Sequence, residues 1–159
     1  MFHPINSSNS STIMTRIDPE NCTIIKNAIS KSAELHLIEQ IRQESKWTTN
    51  FITGLRRSEL SISHNHFKQK IPNLEERLQH VNIVEYRPMA GDCCTWDKDT
   101  FLSIGSATDI IIGKETIRLK RRSLVIFKNN MRTTNVIARA HDIINGSNRL
   151  RGVRYELHF

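Results

Sequence analysis

A chain of 159 residues with 38% hydrophobic and 25% charged side chains has the size and balance of one globular domain with one core. No apolar run approaches the about 18–20 residues of a membrane span, and the first residues do not predict a signal peptide. Three cysteines, two of them adjacent, exclude a disulfide framework and favour an intracellular, cytoplasmic location. The formal net charge of +7 favours polyanionic partners, because each phosphate that is neutralised by lysine or arginine releases condensed counterions.

The N-terminal part of the chain predicts a disordered arm followed by helices. Residues 1–16 are mostly polar and low in complexity, so they cannot bury enough apolar surface to become ordered. The tripeptide Asp18-Pro19-Glu20 is a typical helix start, and apolar residues recur near the helical period as far as Ser45. A short helix is expected over residues 72–79. Residues 17–80 are therefore predicted to be a helical lead-in within one domain that extends to Phe159.

The C-terminal part changes to short β-rich runs that are separated by turns containing glycine and asparagine. The predicted strands cover residues 81–86, 93–96, 101–104, 109–112, 116–120, 123–127, 135–140 and 153–159. Eight short strands at this spacing are typical of a sandwich or a jelly roll. We therefore predict an α+β fold in which N-terminal helices precede a jelly-roll core over residues 81–159.

Four short motifs lie in this C-terminal part. They are Tyr86-Arg87-Pro88, Thr95-Trp96-Asp97-Lys98-Asp99, His141-Asp142-Ile143 and Arg154-Tyr155-Glu156-Leu157-His158-Phe159. Together they resemble the AlkB family of iron(II)/2-oxoglutarate nucleic-acid demethylases. The core of that family reads Tyr-x-Pro, then His-x-Asp with Lys-Asp after it, then His-x-Ile, then Arg-Tyr-x-Leu-x-Phe-Arg.

The resemblance implies a jelly roll of the double-stranded β-helix type with a site for iron(II) and 2-oxoglutarate. Asp97 and His141 match two of its metal ligands, and strand alternation places residues two apart on the same side. Tyr86 matches a tyrosine that contacts the cosubstrate. Arg154 matches the arginine that pairs with the distal carboxylate of 2-oxoglutarate, a task suited to the planar guanidinium.

Three departures from the family pattern indicate a degenerate site. Thr95 stands at the position of the first metal histidine, and a neutral hydroxyl is a poor iron ligand. Val84 replaces an asparagine that would hydrogen-bond the cosubstrate, and the second arginine of the motif would follow Phe159, where this sequence ends. We therefore expect an inactive relative that holds no cofactor. If it were active, its cofactors would be iron(II) and 2-oxoglutarate, with an unrecognised third ligand.

The net charge and the resemblance together predict binding of nucleic acid, specifically RNA, through a basic face. The residues expected to contact it are Trp96, Lys98, Arg118, Lys120, Arg121 and Arg122. The four basic residues from 118 to 122 are the densest basic cluster, and an aromatic such as Trp96 can stack a base. The family also occurs in plant RNA viruses, and a compact basic chain suits a viral accessory protein in the host cytoplasm.

Two other functions and several local alternatives are compatible with the sequence. The chain could be an active demethylase, or a protein-interaction module without any ligand. His64 and His66 could suit zinc or iron, but no acid or cysteine stands at a ligand-like spacing, which favours a polar loop. Cys93 and Cys94 lack the spacer of metal and redox motifs, so buried packing is favoured over a ligand role for Cys93.

Overall fold

The computed structural model of this protein describes residues 14–18, 22–52, 54–89, 93–95, 98–128, 133–137 and 141–159. Within these ranges the chain is mostly antiparallel β-sheet with few helices. The helices are α1 (Lys31–Glu44) and α2 (Leu74–Arg77), together with one turn of 3₁₀ helix at His64–His66. Neither α1 nor α2 is long and apolar enough to cross a membrane.

The strands of the described residues form two larger sheets and one hairpin. Their bounds are β1 Met14–Asp18, β2 Cys22–Ile25, β3 Thr48–Thr49, β4 Arg56–Leu60, β5 Val81–Tyr86, β6 Cys93–Thr95, β7 Thr100–Ile104, β8 Thr108–Ile112, β9 Glu115–Leu119, β10 Ser123–Phe127, β11 Thr133–Val136, β12 His141–Ile144, β13 Ser147–Leu150 and β14 Arg154–His158. The large sheet has the order β1-β2-β10-β7-β14-β5-β4-β3, and the small sheet has the order β6-β11-β8-β9. Strands β12 and β13 pair only with each other in the described residues.

A first apolar core joins the large sheet to the small one. Val84, Tyr86 and Phe101 of the large sheet belong to the same buried cluster as Ile110 and Leu119 of the small sheet. Each large apolar side chain that is fully buried stabilises the fold by about 1.5–3 kcal/mol relative to exposure. This cluster makes the two sheets a sandwich, and its strands bury one face in that interior.

A second apolar core lies on the outer face of the large sheet, where α1 packs. Leu37, Ile38 and Ile41 occupy one stripe of the helix and cluster with Ile83 and Leu157 of the sheet. The helix begins after Ser30, whose side chain accepts a hydrogen bond from the backbone N–H of Ala33. The fold therefore has three layers, which are the helix, the large sheet and the small sheet.

Strands β5 to β11 and β14 lie where strands were predicted, with shifts of a few residues at some ends. Residues 96 and 138–140 of the predicted strands lie outside the described residues, and β12 and β13 were not predicted. The helix prediction at Asp18 is wrong, because Asp18 ends β1 and the next described residues, Cys22–Ile25, form β2. Strand β2 pairs with β10, where Leu124 stands opposite Ile25, and this tertiary pairing outweighs the local helix signal. The predicted helical lead-in over residues 17–80 is present only in part, because α1 and α2 lie within it but β3 and β4 extend the large sheet.

The predicted disordered arm also needs a correction at its end. Residues 14–16 belong to β1, which pairs with β2 at the edge of the large sheet. Residues 1–13 lie outside the described part of the chain.

Candidate functional site

The last strand of the large sheet carries a row of polar side chains into the sandwich. Along β14, Tyr155 and Leu157 face α1, so strand alternation directs Arg154, Glu156 and His158 toward the small sheet. All three are almost completely buried. This burial is unusual for ionisable groups and requires that each finds a partner.

The three side chains form one connected network. Arg154 Nη2 lies 2.5 Å from Glu156 Oε2, and Arg154 Nη1 donates to Ser103 Oγ at 2.9 Å. His158 Nε2 lies 2.9 Å from the other carboxylate oxygen of Glu156, which the Nε2–H tautomer can use as its acceptor. The Arg154 guanidinium also lies over the ring of Tyr86, 4.4 Å from its centroid.

The electrostatics of this row leave one positive and one negative charge. Burial alone would raise the pKa of Glu156, but the Arg154 charge and the His158 contact outweigh it and lower the pKa to about 2. Burial lowers the pKa of His158, and the hydrogen bond with Glu156 only partly opposes this. His158 is therefore neutral at pH 7, while Arg154 and Glu156 form the ion pair.

The ion pair involves Arg154, which is the residue that was predicted to bind 2-oxoglutarate. Both Nη atoms of Arg154 already have partners, and one of them is an internal carboxylate. The cavity beside Tyr86, Thr108 and Arg151 has a volume of about 20 Å³, which is room for about one water molecule. Small-molecule sites usually span about 300–1,000 Å³. The cosubstrate would therefore have to displace Glu156 and open the sandwich.

The predicted metal site is only partly described. His141 is exposed at the start of the β12–β13 hairpin, opposite Leu150, whereas Asp97 lies outside the described residues. The backbone of Thr95 pairs with Thr133 in the small sheet. Among the described residues, no three His, Cys, Asp or Glu side chains cluster as metal ligands would. The described donors therefore do not form the three-ligand set that iron(II) requires.

The two histidines that were considered as an alternative metal site lie in a short 3₁₀ turn. His64 and His66 lie in the 3₁₀ turn, and the His66 ring lies 5.8 Å from that of His36, measured between centroids. Burial, and then the neighbouring His36, lower the pKa of His66. These histidines likewise belong to no three-donor cluster among the described residues.

The basic cluster at residues 118–122 is divided between two sets of carboxylates. Arg118 forms a short contact with Asp142 and lies 3.3 Å from Asp109. The buried Arg151 lies 3.4 Å from Asp109 and 3.7 Å from Asp142. Burial would raise the pKa of Asp142, but the bond and charge of Arg118 hold it below its ordinary value. These pairs tie β8 and β9 to the β12–β13 hairpin.

The other half of the cluster is tied to the helix. Arg121 Nη2 lies 2.9 Å from Glu34 of α1, and Arg122 Nε lies 4.0 Å from the same carboxylate. Glu34 is only 3% exposed and also accepts from the backbone N–H of Gly105. Among the four predicted basic residues, only Lys120 shows no ion-pair partner in the described part of the chain, so three of the four have structural roles.

The other predicted contacts are separated from this cluster or not described. Lys98 is half-buried before β7, and its neighbour Asp99 accepts from Arg77 at 2.5 Å. Trp96 lies outside the described residues. Val84, at the position of the expected asparagine, is buried in the core between the sheets.

A second polar group, which the sequence analysis missed, lies on the outer face of the large sheet. Arg56 and Arg87 both contact the buried carboxylate of Glu85, and the Arg56 guanidinium lies over the ring of Trp47. These residues line a surface groove, and Arg42 of α1 lines it as well. No short sequence motif indicates this group, because its members are far apart in the sequence. They come from α1, β4, β5 and the segments that follow α1 and β5.

Comparison with known proteins gives no family for this chain. No protein-family model matches it, and no curated protein matches it significantly. Among solved structures it is similar to the crystal structure of a predicted oxalate decarboxylase from Thermotoga maritima, with a TM-score of 0.38 and 7% identity. That match covers 71% of this chain and 89% of the other. The resemblance to the AlkB family therefore rests on the sequence motifs alone.

Proposed function

We propose that this protein is a double-stranded β-helix protein without oxygenase activity that binds nucleic acid, specifically RNA. The strand order supports the fold assignment. From β5 to β11 the chain crosses between the large and small sheets at every connection except the β8–β9 hairpin, and β14 returns to the large sheet. Such crossing between two antiparallel sheets is the arrangement of a jelly roll.

The observation that carries this proposal is the buried ion pair of Arg154 and Glu156. The family resemblance assigns Arg154 to the carboxylate of a cosubstrate, and here a carboxylate of the same strand already takes that place. The pair is buried under Tyr86 and joined to Ser103, so the arginine is not available at an open surface. A jelly roll with this interior would keep its shape without iron(II) and 2-oxoglutarate.

The binding function rests on charge. Lysine and arginine exceed aspartate and glutamate by 23 to 16, which gives the chain a net charge of +7. The phosphates of nucleic acid are a suitable polyanionic partner, because their binding to lysine and arginine releases condensed counterions. RNA is preferred because the resembled family acts on nucleic-acid bases and because exposed aromatic and guanidinium planes can stack unpaired bases.

Two measurements test the proposal. A salt titration should show that a labelled unstructured RNA binds at about 100 mM salt and more weakly as salt rises. A melting experiment should show no stabilisation by manganese(II) with 2-oxoglutarate, because only ligands that bind the native state raise Tm. A rise of several degrees would instead indicate a working oxygenase site. Undetectable RNA binding would favour the protein-interaction function.

A further inference from the structure

A groove on the outer face of the large sheet lies beside the C-terminal end of α1. Its volume is about 540 Å³, which falls in the range of about 300–1,000 Å³ for ligand sites. We name it the arginine groove. Its walls include Arg42, Trp47, Arg56, Glu85, Arg87 and Tyr155.

The sheet register places the floor of the groove in one row. Arg56 stands opposite Glu85 across β4 and β5, and Tyr155 stands opposite Glu85 across β5 and β14. Residues directly opposite one another point to the same face of a sheet. Arg56 binds both oxygens of Glu85, with its Nε at 2.8 Å and its Nη2 at 2.7 Å.

The groove carries an excess of positive charge. Three guanidinium groups, on Arg42, Arg56 and Arg87, line the groove together with one carboxylate, that of Glu85. The side chain of Glu85 is 5% exposed and that of Arg87 is 65% exposed, so the negative charge lies below the positive ones. Arg87 uses Nε to contact Glu85, and in the described part of the chain its two Nη groups have no partner. The surface that faces a ligand is therefore cationic.

Aromatic rings pack against the guanidinium group of Arg56 in the groove. The Arg56 guanidinium lies 4.7 Å from the centroid of the Trp47 ring. That ring is nearly parallel to Tyr155, with an interplanar angle of 20° and a centroid distance of 6.2 Å. A guanidinium fixed by a ring and by two hydrogen bonds loses little conformational freedom on binding a ligand.

The segment that follows β3 carries an exposed aromatic ring. Thr49 pairs with Arg56, so the turn between β3 and β4 begins directly after the strand partner of Arg56. Within the turn, Asn50 Oδ1 accepts from the backbone N–H of Ile52, and the N–H of Gly54 donates to the carbonyl of Asn50. The Phe51 side chain at the tip is 100% exposed. An exposed aromatic ring two residues beyond the strand partner of Arg56 can serve as a stacking platform for a base.

We propose that the arginine groove binds single-stranded nucleic acid, with phosphates on Arg42 and Arg87 and one base stacked on Phe51. This inference rests on the proposed function and moves the contact surface away from residues 118–122. Guanidinium groups bind phosphate in a bidentate manner, and a single strand can place a base on an aromatic ring because its bases are not paired. A duplex could contact the arginines but could not stack on Phe51.

The test is fluorescence anisotropy of a labelled oligouridine over a range of salt concentrations. In the double variant Arg42→Gln/Arg87→Gln, the slope of log affinity against log salt should become shallower by about 1.4, at about 0.7 per lost phosphate contact. In Phe51→Ala, binding should weaken by about 5- to 150-fold with the slope unchanged. The matched control Lys114→Gln/Arg149→Gln removes two exposed charges from the small sheet and the β12–β13 hairpin and should leave the slope unchanged.

The outcomes separate the groove from the function. If the wild type binds and both groove variants behave like it, RNA is bound elsewhere, and the groove inference is wrong while the proposed function stands. If the wild type binds no RNA at about 100 mM salt, the proposed function fails with it. Binding of polyglutamate but not of oligouridine would then assign the groove to an acidic protein partner. All of these side chains are exposed, so unchanged melting temperatures should verify that the variants fold.

Discussion

The Arg154 guanidinium lies 2.5 Å from the Glu156 carboxylate on the same face of one strand, and both side chains are buried between the two sheets. A buried pair of this kind contributes little compared with apolar residues of similar shape, but removing one partner leaves an uncompensated charge. Neither residue of the pair can therefore be replaced by a neutral residue without leaving the charge of the other unpaired in the interior.

Replacing Glu156 by glutamine should strongly destabilise the protein. The Arg154 charge would remain buried without a carboxylate, which costs about 3–5 kcal/mol in other proteins. Urea unfolding measures the change in the free energy of unfolding. The control Arg77→Gln breaks the more exposed pair with Asp99 and should cost less than about 1 kcal/mol. Equal costs for the two variants would contradict the assigned role of the buried pair.

The stability of the protein should fall in two steps as the pH is lowered. The pKa of His158 is below its ordinary 6.5 in the folded state, so only the unfolded chain gains this proton as the pH falls below about 6.5. The pKa of Glu156 falls from its ordinary 4.5 to about 2, so its contribution is present above pH 4.5 and is lost from there toward pH 2. Both steps have the same sign.

The variant His158→Gln separates these steps, because glutamine keeps a donor for Glu156 but does not titrate. The free energy of unfolding, measured between pH 7.5 and 5 by urea titration at about one-unit intervals, should decline less in this variant than in the wild type. Part of the first decline should persist, because the pKa of His66 is lowered as well. His80→Gln replaces an exposed histidine beside Glu59 and should retain that decline. An unchanged pH dependence in His158→Gln would show that another group titrates.

Neutralising the basic cluster should affect stability more than RNA affinity. Replacing Arg118, Lys120, Arg121 and Arg122 by glutamine leaves Glu34 buried without its arginines, which should cost about 1–3 kcal/mol. Lys120→Gln alone should change stability by less than about 0.5 kcal/mol. The salt slope of RNA binding should change by no more than about 0.7, the value for one contact. A loss of two or three contacts with unchanged stability would restore the interface predicted from the sequence.

Restoring the first histidine of the metal motif should not restore activity. In the family pattern Thr95→His completes the ligand set with Asp97 and His141, and if the three positions meet as the resemblance implies, manganese(II) should raise the melting temperature of this variant more than that of the wild type. The Arg154–Glu156 pair and Val84 persist in this variant, so 2-oxoglutarate should add no further stabilisation. Further stabilisation by 2-oxoglutarate would show that the carboxylate of Glu156 can be displaced.

The sequence predicted the strands of the C-terminal part because alternation and turn residues are local signals. The run Thr23-Ile24-Ile25 fits a strand as well as a buried helix segment, and its pairing with β10 decides between them. The partners of the basic cluster were equally hidden, since Glu34 lies 87 residues from Arg121. Charge density along a sequence does not reveal which carboxylates the fold brings to it.

The polar row of β14 shows a different limit of pattern reading. Arg154, Glu156 and His158 alternate with apolar residues, and such alternation ordinarily marks a face in contact with water. In this fold both faces of the strand are buried, because α1 covers one and the small sheet covers the other. The pairing of residues two apart was visible in the sequence, but their burial was not.

The position of β14 determines when the large sheet can be completed. This strand lies between β5 and β7, which do not pair with each other, so the β2-β10-β7 part of the sheet joins the β5-β4 part only through residues 154–158. During synthesis both parts would carry an unpaired strand edge until that segment leaves the ribosome. The sheet therefore closes after translation of β14, and a nascent chain that stalls before this strand would expose two edges open to aggregation.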